Sequence, residues 1–161
     1  MGSTIRSLSK QIREALKVSP ITSLSRTFEV IVGLLHLAMF AQLVYFKYSI
    51  SSLVNLMQPC HVILLFQGIA LLSTTETGVL ISIFILPALT GTMLAMLFPE
   101  TTGLDQYLEM EAYWLQHYLI QAMPLYLLLR RNGLALQFCS LKTVCMGIWL
   151  LYFLHFSIYE V

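Results

Sequence analysis

Residues 51–72, SSLVNLMQPCHVILLFQGIALL, decide how the rest of the chain is read. Nearly every side chain in this run suits hydrocarbon, and it covers the roughly 20 residues that a helix needs to cross a bilayer core. Yet Pro59, Cys60 and His61 stand together near its middle. A proline inside a helix removes a backbone donor and strands the carbonyl four residues earlier, here that of Asn55. A polar side chain at such a depth is costly and is read first as functional.

Working outward, four more apolar runs recur at 27–46, 79–98, 107–129 and 141–159, so residues 50–72 become the second of five predicted spans. The connections are short (KYS, STTETG, PETTGLDQ and RRNGLALQFCSLK), which suits antiparallel neighbours in one bundle. The expected fold is therefore all-α, a polytopic transmembrane helical bundle built from residues 23–161 as one domain. Composition agrees: of 161 residues 58% are hydrophobic and 11% charged, against about 45–50% and 25% in soluble domains. A net charge of +1 gives no electrostatic case for nucleic acid as a partner. Three cysteines form neither a disulfide framework nor a zinc spacing, and no metal or cofactor is expected from them. No cleavable leader is expected either, because the first apolar run follows a basic stretch and is long enough to span.

Residues 1–22 form a separate basic segment. Ile5, Leu8, Ile12 and Leu16 fall on one helical face, and Arg6, Lys10, Arg13 and Lys17 on another. Such a segment lies on an anionic membrane surface or forms a short solvated helix. The distribution of Lys and Arg orients the chain. With the N-terminus cytoplasmic, that side holds eight of the nine basic residues, while Lys47 alone faces Glu100, Asp105, Glu109 and Glu111.

Depth then singles out candidate residues. At 1.5 Å per residue, Cys60 and His61 lie about 15 Å from the external end of their span. His117 in the fourth span and His36 in the first reach a similar level, and His155 in the fifth is shallower. In the fourth span Glu109, Tyr113, His117 and Gln121 recur every four residues as a polar stripe that must face inward. Tyr113, one turn from His117, could donate to its ring or position a substrate. A buried histidine often does no more than join helices, and a lone cysteine there is a small hydrophobe. A thiol in apolar surroundings is inert without a base; an imidazole at its depth supplies one. Three readings follow: acyl-transfer or hydrolytic chemistry by Cys60 and His117, haem held by histidines of one layer, or polar residues acting as helix glue or a permeation path.

The segments LMQPCHV, MLFP, EMEAYWLQHYL, MPLYLLL and YFLHFS, in this order, resemble the transmembrane protein 164 family. The likeness runs from about Ser23 onward. The resemblance implies an intramembrane acyltransferase that moves polyunsaturated, arachidonoyl-type chains onto ether lysophospholipids through a cysteine thioester. Membrane phospholipids would be its partners and the endoplasmic reticulum its expected location. It further implies Cys60 of the Pro-Cys-His motif as nucleophile and His117 of the Gln-His motif as its base. His61, Gln116, Tyr113, Glu109 and His155 correspond to supporting positions. Members of the family continue beyond the His-Phe-Ser helix, so this chain is expected to be a C-terminally shortened member, whose activity depends on what that part supplies.

Overall fold

The computed structural model describes residues 6–7, 10–14, 23–99, 101–102, 104, 106–130, 145, 148–149 and 153. Among them the regular secondary structure is helical throughout. Five α-helices follow one another: α1 Ser23–Ser49, α2 Pro59–Leu72, α3 Glu76–Ile85, α4 Leu89–Leu97 and α5 Glu109–Arg130. Short 3-10 turns at Leu53–Met57 and Leu86–Ala88 lead into α2 and α4.

The second expected span is not one helix. Ser51 adopts a left-handed backbone, φ 53°, a 3-10 turn follows, and α2 starts afresh at Pro59, whose ring suits a first helical position and whose missing N–H is not needed there. Pro59 therefore opens a helix rather than kinking one. The third expected span is broken at Pro87, and its halves α3 and α4 meet at a 47° bend. Among the described residues, by length and apolarity only residues 25–49 qualify alone as a membrane span, with α3 and α4 together as a second. The 14 residues of α2 fall short, and the 22 of α5 carry a polar stripe that lowers their apolarity. The five expected spans are thus not reproduced by these two criteria. The fifth, 141–159, lies outside the described residues except for helical positions 145, 148, 149 and 153.

Packing centres on α2. Met39 and Leu43 of α1, Ile63 and Leu64 of α2, Ile85 of α3 and Ile120 of α5 form one buried cluster. Val32, Leu71, Met123 and Leu127 form a second, nearer the other end of α1. Close approach of α1 and α2 needs small residues: a Cβ at Gly68 would lie 3.0 Å from Leu37 Cδ2, and one at Gly33 3.0 Å from Leu72 Cγ. Arg26 binds the last carbonyls of α2, with Nη1 to Leu71 O at 2.9 Å and Nη2 to Leu72 O at 2.5 Å. The outward faces are apolar as well: Ile31, Leu34, Phe66, Leu94, Leu97 and Leu125 are all exposed. In the basic segment Ile12 is fully buried, and Arg13 Nη2 pairs with Glu76 Oε1 at 2.5 Å, so this segment meets the first residue of α3.

A thiol and two imidazoles around one cavity

A cavity of about 250 Å³ lies between the second half of α1, the entry into α2 and the first half of α5. Cys60, His61, Glu109, Tyr113, Gln116 and His117 all line it. Six of the seven residues that the family resemblance implies thus share one space, and His155 falls outside the described residues.

Cys60 is the second residue of α2 and half-buried. Its thiol reaches Gln58 Oε1 at 4.0 Å. The Asn55 carbonyl, which would be stranded in a continuous helix, accepts from the Gln58 N–H at 3.2 Å and from the His61 ring at 2.8 Å. Since a carbonyl only accepts, His61 Nδ1 carries the proton and Nε2 the lone pair.

His117 follows the same logic one helix away. Its Nδ1–H donates to the Tyr113 carbonyl at 2.7 Å. Nε2 is buried and has no hydrogen-bond partner. The Tyr113 ring packs on the imidazole with centroids 4.3 Å apart, but its hydroxyl donates to the Ala95 carbonyl at 2.8 Å. Tyr113 therefore orients His117 through its main chain and ring, not through the phenol. His117 and Cys60 line one cavity without a hydrogen bond between them in this resting arrangement, a looseness common in ligand-free sites.

Glu109, in the first turn of α5, faces Lys47 Nζ at 3.5 Å with Oε1 and accepts the Gln106 N–H at 3.3 Å with Oε2. Both members of the Lys47–Glu109 pair are largely buried. Lys47 and Gln58 are cavity residues that sequence reasoning passed over. The signal for Lys47 was present, since it is the lone cation on the acidic side.

His36 is corrected. Its depth matches the layer, but it faces the interface of α1, α2 and α5: Nδ1 is 2.8 Å from the Val32 carbonyl and Nε2 3.2 Å from Gln67 Oε1. With both ring nitrogens occupied, His36 offers no axial ligand to haem. Gln67 Nε2 continues the chain to the Ile120 carbonyl at 2.9 Å. The stripe on α5 ends in the same kind of contact, for Gln121 Nε2 donates to the Leu89 carbonyl at 3.0 Å and to Thr92 Oγ1. Among the described residues no three His, Cys, Asp or Glu side chains converge as a metal site would require.

No solved structure matches this chain. The TMEM164 family model matches residues 5–160, and the match reaches back into the basic N-terminal segment, beyond the likeness read from Ser23 onward. The chain belongs to the TMEM164 family.

Proposed function

We propose that this protein is an intramembrane acyltransferase in which Cys60 carries the acyl group and His117 moves the protons. His117 Nε2 takes the Cys60 proton, and the thiolate attacks the ester of a donor phospholipid. The resulting thioester is then attacked by the hydroxyl of an ether lysophospholipid, with His117 again the base. The observation that carries this reading is the cavity itself: a thiol at a helix N-terminus shares it with an imidazole whose Nδ1 is committed and whose Nε2 is bare.

The cavity of about 250 Å³ is smaller than the roughly 300–1,000 Å³ that encloses a whole small ligand. It suits the reacting ester and the incoming hydroxyl, with the long acyl chain, arachidonoyl by family likeness, left in the bilayer. Limited water there favours transfer to an alcohol over hydrolysis. A multi-span arrangement with a cytoplasmic N-terminus in the endoplasmic reticulum fits the apolar outward faces and the one-sided Lys and Arg distribution. In cells lacking the endogenous activity, the intact chain restores arachidonoyl ether phospholipids, and Cys60→Ser and His117→Ala each lose that restoration. Restoration by both variants at the level of the intact chain refutes the mechanism.

A further inference from the structure

The reaction needs hydrogen-bond donors where the ester oxygen becomes negative. The entry into α2, a helix of 14 residues, leaves one main-chain donor without a carbonyl, the Cys60 N–H beside its own sulfur. Pro59 has no N–H. The Gln58 N–H donates to Asn55 O at 3.2 Å, and the His61 and Val62 N–H groups both donate to Gln58 O, at 3.0 and 3.1 Å. Among the described residues only the Cys60 N–H in this turn finds no carbonyl. A nucleophile's own amide lies close to the oxyanion that its attack creates.

A second, independent feature faces the same cavity from α5. Gln116 is 1% exposed, and its Oε1 has no hydrogen-bond partner. A buried amide oxygen without a donor costs about 1–3 kcal/mol, so its retention calls for a ligand. A half-turn about its last torsion exchanges this oxygen for the NH2 group.

We propose that the Cys60 main-chain N–H and the Gln116 side-chain amide form the oxyanion pocket of this site, an assignment that rests on the acyltransfer reading above. The Cys60 thiolate forms the S–C bond while the carbonyl π pair moves onto oxygen, where both donors meet it. Collapse re-forms C=O and breaks the C–O bond, and His117, carrying the thiol proton, protonates the departing alkoxide. The products are the acyl thioester and a lysophospholipid. The same donors serve the second half-reaction.

The test separates acylation from simple thiol reactivity. The full chain in detergent is acylated from a phospholipid bearing an alkynyl polyunsaturated chain, read as hydroxylamine-sensitive label, and alkylated in parallel with iodoacetamide, which displaces iodide without forming an oxyanion. Gln116→Met keeps the length of the side chain and removes its donors. It is expected to slow acylation roughly a hundredfold to a thousandfold, the usual loss for one oxyanion donor, at unchanged half-saturating lipid and with Cys60 alkylation within a factor of two or so of the intact chain. Gln116→Glu, a carboxylate facing the oxyanion, is expected to be slower than Gln116→Met. Acylation of Gln116→Met at the intact rate, or acylation and alkylation falling by one common factor, overturns the assignment. Label persisting in Cys60→Ala overturns the acyltransfer reading instead, so the two failures are distinguishable.

Discussion

Gln67 offers a quantitative test of how prolines and polar side chains are matched in this fold. Pro124 lies inside α5 and cannot donate to the carbonyl four residues before it, that of Ile120. That carbonyl accepts from Gln67 Nε2 of α2 at 2.9 Å, while Gln67 Oε1 lies 3.2 Å from His36 Nε2. Gln67→Leu keeps the volume and removes both contacts. A stranded buried group costs about 1–3 kcal/mol in soluble proteins, and interhelical bonds in membrane proteins average about 0.6 and reach about 1.7 kcal/mol. Two contacts thus give an expected destabilisation of about 1.5–2.5 kcal/mol. Pro124→Ala supplies the missing N–H, so the Ile120 carbonyl no longer depends on Gln67. In that background Gln67→Leu should cost about 1 kcal/mol less, and the difference is a coupling energy across two helices. The four proteins of the cycle are compared by reversible unfolding in mixed detergent and SDS micelles. Additivity within roughly 0.3 kcal/mol would mean that Gln67 does not compensate the proline, and the reasoning would fail.

Other consequences can be checked in the same protein. Tyr113→Phe leaves the Ala95 carbonyl without its donor and should lower stability by about 1 kcal/mol in the same micelle assay. Thioester formation should stay within a few-fold, because the Tyr113 carbonyl and ring still orient His117. At Gly78 a Cβ would lie 2.9 Å from the Ala70 main-chain oxygen, so Gly78→Ala should cost about 1–3 kcal/mol, again read as an unfolding midpoint. Lys47→Met strands the buried Glu109 carboxylate and should destabilise by about 3–5 kcal/mol, with much of the loss recovered when Glu109→Gln is added. The Glu76 carboxyl is held below its ordinary pKa by its own N–H and by the Arg13 guanidinium. Its contact with Arg13 is complete above the ordinary value of 4.5 and is lost as pH falls through the lowered one. Trypsin cleavage after Arg13 should therefore rise with salt and in Glu76→Gln.

Much of the site was legible because helical spacing converts residue number into depth. The rise of 1.5 Å per residue brought Cys60, His61 and His117 to one level, and they share one cavity. His36 has the same depth and yet faces the α1, α2 and α5 packing. Depth is one coordinate; rotation about the helix axis is another, and an apolar run encodes it weakly. The four-residue stripe on α5 was readable for the complementary reason, since periodic polar residues fix rotation directly. Pro59 was misjudged because a helix-interior proline and a first-turn proline are the same letter. What separates them is the left-handed backbone at Ser51 and the 3-10 turn after it, where Ser, Asn and apolar residues leave no strong breaker signal before the proline itself.

The break before Pro59 also bears on why chemistry would sit here at all. In hydrocarbon every main-chain donor and acceptor needs a partner, and a helix that starts partway across is tolerated only against protein or a cavity. This chain meets most of that cost locally: Asn55 O takes the His61 ring, and Gln58 O takes two main-chain donors. Elsewhere His36, Gln67 and Gln121 join neighbouring helices. A bundle selected for packing alone would treat Cys60, Gln116 and His117 in the same way. Instead Gln116 Oε1 and His117 Nε2 are left without hydrogen-bond partners around a single cavity, and the Cys60 N–H meets no carbonyl. They are a donor, a reversible amide and a base, beside the thiol of Cys60. On the acyltransfer reading proposed above, their energetic cost is offset when a polar reactant enters.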